Sequence, residues 1–235
     1  MKNTDFKHLF FDLDHTLWDF EKSSAETLEE LYDRYQIGSL SSRNIQKLDF
    51  IAAFRVVNRK LWQQYDRGKV DREKIRSERF PMIFAELGIP AVVCPADMGE
   101  VYLSICPTKP YLMAEALSTL QRLNEHYELH ILTNGFKDVQ HIKMRSANIY
   151  HFFKQIITSE CTGHKKPNIQ IFQYAMEQAK TSPEHSVMIG DNPRADIQGG
   201  KAAGMYTVFY NPDRIAHGIH PHLEINSLGE LSHHF

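Results

Sequence analysis

From Pro107 to Tyr210 the chain alternates short apolar runs with amphipathic stretches of helical length. The spacing predicts helices over 111–125, 136–147, 168–180 and 194–203, and strands over 129–132, 155–158, 186–189 and 207–210. Strands separated by helices read as crossover units, and successive crossovers build a parallel sheet covered by helices on both faces. An earlier apolar run, Leu9, Phe10 and Phe11 followed by Leu13, supplies a first buried strand. Between that strand and Pro107 there is almost no β-pattern. Apolar positions Ala25, Leu28, Leu31, Tyr32 and Tyr35 predict a helix over 21–36, stopped by Gly38. Ile45, Leu48, Ile51, Ala52, Val56, Leu61, Trp62 and Tyr65 predict a second over 42–66. Further helices are expected at 71–87, ended by Gly88 and Pro90, and at 95–105. The expected organisation is an α/β core of 1–16 and 108–235, interrupted by an all-helical domain over 17–107.

A chain of 235 residues can bury a full core and still carry such an insertion. Lys and Arg number 27 against 29 Asp and Glu, which leaves no basic field for a nucleic acid polymer. No apolar run is long enough to cross a bilayer, and Met-Lys-Asn-Thr-Asp leads into the first strand without a secretory leader, so a cytoplasmic address is expected. Cys94, Cys106 and Cys161 lack the spacing of a metal cage or disulfide framework. The five histidines near the C-terminus (His217, His220, His222, His233, His234) are expected at the surface. Nothing in the sequence demands an obligate dimer; a monomer or weak homodimer is expected.

The chemistry concentrates where predicted strands end. Asp12, Asp14 and Thr16 follow the first strand at i, i+2 and i+4, which share one side of an extended chain. Thr133-Asn134-Gly135, Lys166, and Asp191 with Asp196 stand at the ends of later strands. In a parallel sheet those ends lie on one edge, where such folds bind ligands. Asp12, Asp14 and Asp191 would bring like charges together, and at ~4 Å each such pair costs roughly 4 kcal/mol at an effective dielectric of about 20. Lys166 offers one counter-charge. Oxygen ligands without Cys or clustered His favour Mg²⁺ as the source of the rest. The turn at 133–135 leads into a helix N-terminus, where a hydroxyl and backbone N–H groups can hold an anion, and Gly135 removes a Cβ from its approach. Phosphate suits all of these groups, with Asp12 as nucleophile and Asp14 as acid and base.

The series Asp12-x-Asp14-x-Thr16, Thr133-Asn134-Gly135, Lys166-Pro167 and Gly190-Asp191-Asn192-x-x-x-Asp196 resembles the four ordered motifs of the haloacid dehalogenase superfamily. Leu17-Trp18-Asp19-Phe20 further resembles its 5′-nucleotidase-like branch. The resemblance implies a Rossmann-like core with an inserted helical cap and a Mg²⁺-dependent phosphatase acting on a small phosphate monoester, a nucleoside 5′-monophosphate foremost. It implies that Asp12 is nucleophile and metal ligand, that Asp14 is acid/base and binds the metal through its backbone carbonyl, and that Asp191 completes the metal site. Thr133 and the N–H groups of Asn134 and Gly135 would hold phosphate, and Lys166 would neutralise Asp12 and the phosphoryl oxygens. An acid at position 14 also sets phosphatases apart from the superfamily's dehalogenases.

Plainer readings stand beside these. Asp196 either steadies the metal's water shell or merely favours the helix dipole and its loop. Trp18 and Phe20 either pack a hinge or line a leaving-group pocket. Trp62 and Tyr65 are expected to pack helices, Arg55, Arg59 and Arg67 to be solvated, Gly199-Gly200 to permit close packing, and Gly204 to stop a helix. The functional rivals are a phosphoglycolate or sugar-phosphate phosphatase, a phosphomutase of the same fold, and a non-catalytic binding module.

Overall fold

The computed structural model describes residues 5–40 and 44–235. The first four residues, and the opening of the helix expected over 42–66, lie outside the described residues. Among the described residues the strands are β1 (His8–Phe11), β2 (Glu128–Thr133), β3 (Phe153–Thr158), β4 (Ser186–Gly190), β5 (Tyr206–Tyr210) and β6 (Leu223–Ile225). They form one sheet in the order β3-β2-β1-β4-β5-β6, every pair parallel. The helices are α1 (Phe20–Arg34), α2 (Lys47–Asp66), α3 (Arg72–Glu86), α4 (Met98–Ile105), α5 (Ala116–Leu123), α6 (Lys137–Ser146), α7 (Ile169–Gln178), α8 (Gly199–Ala202) and α9 (Leu231–His234). The sixth strand has no counterpart in the sequence reading, because Leu-Glu-Ile is too short to show a period.

The described chain divides into two compact units. One holds the chain up to Phe20 together with Pro110–Phe235, the other Glu21–Lys109. In the first unit β1 lies at the sheet's centre, and Leu9, Phe10 and Phe11 are all fully buried. A strand covered on both faces needs an unbroken apolar run rather than alternation. Phe10, Leu132, Ile157 and Met188 meet Ile171, Phe172, Ala175 and Met176 of α7 in one core cluster. Close approach explains two glycines: a Cβ on Gly199 would stand 2.7 Å from the Phe172 ring, and one on Gly200 3.0 Å from Met188 Cβ. Phe11 pairs with Ile131 and with Ile189, so β1 stops two residues short of the end of β2 and one short of the end of β4.

In the helical unit α2 and α3 bury Phe50, Phe54, Val57 and Leu61 against Ile75, Phe80, Ile83 and Phe84. The expected apolar stripe of α2 is displaced: Leu48 and Val56 are exposed, because the Phe50/Phe54 pair carries the larger apolar surface inward. Tyr102 packs 5.3 Å from Phe54 and 5.5 Å from Phe80, and the buried Arg79 guanidinium stands 5.4 Å from the Tyr102 ring centre. Trp62 meets Tyr65 edge-on at 5.4 Å. Arg55, Arg59 and Arg67 are exposed. α1 ends two residues before the expected limit, at Arg34, with Gln36 in the left-handed region (φ 49°) where Gly38 was expected to act.

No helix among the described residues is long and apolar enough to cross a membrane. Cys94, Cys106 and Cys161 form no disulfide. Of the C-terminal histidines only His217 is half-buried, 3.0 Å from Glu224. A different histidine is buried: His130 of β2 stacks 4.6 Å from the Phe10 ring and lies 3.2 Å from His8 Nδ1. Burial pushes its pKa down to about 3, helped by His8 and Lys154. Unfolded chains therefore take up this proton at a higher pH than the folded protein, and stability falls as pH drops below about 6.5. At pH 5 the penalty is roughly 2 kcal/mol. Denaturant titrations of His130→Leu are expected to show a shallower loss between pH 7 and 5 than the parent; parallel losses would contradict this.

Candidate active site

β1 ends at Phe11, and the Asp12 N–H still bonds to Ile189 O at 2.9 Å, which fixes the first carboxylate to the sheet edge. The chain then turns instead of continuing extended. His15 takes φ 64°, and the N–H groups of Leu17 and Trp18 both donate to Leu13 O, at 2.9 and 2.8 Å. Thr16 therefore reaches the site through a turn, which corrects the expected extended i+4 geometry. Its buried hydroxyl donates to Asp191 Oδ1 at 2.9 Å and accepts from the Asp191 N–H at 3.2 Å.

Lys166 organises the negative groups. Its ammonium, almost wholly buried, lies 2.7 Å from Asp12 Oδ1, 2.7 Å from Asp196 Oδ1 and 2.6 Å from Leu132 O. The Asn134 side chain brackets the Lys166 backbone, accepting from its N–H at 2.8 Å and donating to its carbonyl at 3.0 Å. Asp196 sits in a π-helical turn (Pro193–Gln198), fully buried, and its Oδ2 accepts from the Asn192 N–H at 2.9 Å. Gly190 makes this possible, since a Cβ there would fall 2.2 Å from Asp196 Oδ2.

One ammonium does not balance three carboxylates. Burial raises the Asp12 pKa to about 6, with Lys166 pulling it down and Asp196 pushing it up. Burial likewise raises Asp191 to about 6, with repulsion from Asp12 adding to it. Oxygens of Asp12, Asp191 and Asp196 lie within 4.8 Å of one another. A crowded set of oxygen donors with surplus negative charge fits a hard divalent cation such as Mg²⁺. Asp196 has both oxygens engaged by Lys166 and Asn192, which leaves Asp12 and Asp191 as the better-disposed carboxylates.

Asp14 faces a different set of partners. Its Oδ1 accepts from Lys143 Nζ at 2.6 Å and its Oδ2 from Gln140 Nε2 at 2.8 Å. Burial pushes its pKa up, but Lys143 and Gln140 outweigh that and hold it below the ordinary value. Both partners come from α6, and neither was singled out from the sequence. The available signal was their spacing: Gln140, Lys143 and Met144 fall at i, i+3 and i+4 on the buried stripe, two polar residues where apolar ones are the rule. The absence of a side chain at Gly135 has a different reason from the expected one. A Cβ there would lie 1.6 Å from Gln140 Nε2, so the missing side chain admits Gln140. Thr133 Oγ1 accepts from the Gly135 N–H at 3.0 Å and from Gln140 Nε2 at 3.2 Å. Trp18 is fully buried with its ring 4.6 Å from Lys143 Nζ, which removes it as a stacking surface for a substrate.

Residues 9–210 match the family described as haloacid dehalogenase-like hydrolase. Over 231 residues the chain is 32% identical to the HAD-hydrolase YfnB of Bacillus subtilis (strain 168), covering 97% of this chain and 94% of that protein. It is 29% identical over 231 residues to the pyrimidine 5′-nucleotidase YjjG of Escherichia coli (strain K12), covering 95% of each. A magnesium-bound crystal structure of YfnB from Bacillus subtilis superimposes with a TM-score of 0.85 at 31% identity, covering 97% of both chains.

Proposed function

Because the chain belongs to the haloacid dehalogenase-like hydrolase family, we propose that it is a Mg²⁺-dependent phosphatase that cleaves a small phosphate monoester through an aspartyl-phosphate on Asp12. The observation that carries this reading is the Asp12 carboxylate 2.7 Å from the buried Lys166 ammonium, with Asp14 two residues on and held by its own donors. Asp12, Asp191 and the Asp14 backbone carbonyl would hold the cation. When bound, it would screen the phosphoryl charge from the nucleophile.

In the first displacement Asp12 attacks phosphorus while Asp14 in its protonated form, which Lys143 and Gln140 make the minor one, gives its proton to the departing oxygen. In the second, Asp14 takes a proton from water, which attacks the aspartyl-phosphate and releases inorganic phosphate. Lys166 keeps Asp12 ionised and meets the transferring oxygens; Asp196 holds Lys166 in place. Thr133 and the N–H groups of Asn134 and Gly135 take the remaining phosphate oxygens, Thr133 and Gly135 exchanging their mutual hydrogen bond for it. Thr16 orients Asp191.

The leading substrate is a nucleoside 5′-monophosphate. It is supported by full-length similarity to a protein named a pyrimidine 5′-nucleotidase. A phosphate-release screen over nucleotides, sugar phosphates and phosphoglycolate tests this. Preference for nucleoside monophosphates, lost on chelation and restored by Mg²⁺, is expected. Preference for a sugar phosphate would overturn the substrate, and phosphoryl return to an isomeric product without free phosphate would replace hydrolysis by a mutase reaction. No release across the panel would favour a binding module.

A further inference from the structure

We propose that Gln140 and Lys143 are positioning residues for Asp14, fixing the carboxyl group that the phosphatase reading uses as acid and base. An aspartate's terminal torsion is broad, so a lone carboxyl at a strand tip samples many orientations. Here both oxygens are taken by donors from adjacent turns of one helix, Lys143 Nζ at 2.6 Å on Oδ1 and Gln140 Nε2 at 2.8 Å on Oδ2. These donors are themselves immobilised. Gln140 is fully buried, lies in the space that Gly135 leaves open, and shares its amide with Thr133 at 3.2 Å. Lys143 is buried, with its ammonium 4.6 Å from the Trp18 ring centre and 6.0 Å from that of Phe20.

A packing role alone does not explain these residue types. Burying an amide and an ammonium is costly beside an apolar residue of similar size, and Gln140 Oε1 remains buried without a hydrogen-bond partner. What the pair provides is a fixed direction for Asp14, tied through Gln140 to the Thr133 hydroxyl. A misplacement of about 1 Å at a reacting group can cost on the order of 10²-fold in rate. The inference rests on the phosphatase reading, with Asp14 protonating the leaving oxygen.

That role gives a test a structural defect would not mimic. An alkyl phosphate needs its leaving oxygen protonated, whereas p-nitrophenyl phosphate departs as a stable phenolate. For Gln140→Leu, Gln140→Glu and Lys143→Met, kcat/KM on a nucleoside 5′-monophosphate is expected to fall about 100-fold. On p-nitrophenyl phosphate it is expected to fall about tenfold or less. Gln140→Glu keeps the side-chain size but presents acceptors to Asp14, so it retains the test should an apolar variant misfold. Equal losses on both substrates, or none on either, would overturn the positioning role alone. A parent protein that releases phosphate from neither substrate would overturn the phosphatase reading, and this inference with it.

Discussion

Asp12→Asn is expected to stop turnover while leaving the metal-free fold at least as stable as the parent. Asparagine keeps the shape of the side chain but cannot form the acyl-phosphate bond, and loss of a nucleophile working within a unit costs on the order of 10⁵-fold or more in kcat. The stability half follows from charge. The Asp12 pKa is raised from 3.8 to about 6 by burial, against the pull of Lys166. The folded protein therefore binds this proton more tightly than the unfolded chain, and metal-free stability falls as pH rises from about 4 through 6. A neutral amide removes that penalty, up to roughly 3 kcal/mol above pH 6. Kinetics and denaturant unfolding of chelator-treated protein at pH 7.5 check both halves. A variant that is inactive because it has unfolded would contradict the argument.

Lys166→Met is expected to fail in the opposite way, losing both activity and stability. The methionine chain fills the apolar part of the space but leaves Asp12 and Asp196 buried without their shared cation. Breaking a buried pair from one side costs roughly 3–5 kcal/mol. Lys166 itself stays charged across the neutral range, since its two carboxylate partners raise its pKa against the effect of burial. Adding Asp196→Asn to Lys166→Met removes one stranded charge and is expected to recover part of the stability and none of the turnover. Urea titrations of the single and double variants distinguish these outcomes; an unimpaired Lys166→Met fold would contradict the central place given to the lysine.

The pattern of strands and helices was legible because β1, β2, β4 and β5 are buried on both faces and therefore read as plain apolar runs between helices. Asp12, Thr133, Lys166 and Asp191 stood out because each is a polar group placed where such a run ends or a loop follows it. What stayed hidden was of another kind. Thr16 enters by a turn whose left-handed residue is His15, a residue type that does not announce that conformation as glycine would. Gln140 and Lys143 look like ordinary helix polar residues until the buried stripe of α6 is known, and the missing side chain of Gly135 looks like room for an anion until Gln140 is seen to fill it. Asp196 is equally ambiguous in sequence, since a first-turn acid and a buried partner of Lys166 occupy the same position.

The claim on which the rest depends is that Asp12 takes up the phosphoryl group. Acid-quenching the parent protein during turnover of its preferred phosphate monoester with Mg²⁺, followed by peptide mass mapping, tests it most directly. A phosphoryl group on the peptide carrying Asp12, absent from Asp12→Asn, is the predicted result. Phosphate release at full rate with that peptide unmodified at every quench time would contradict it.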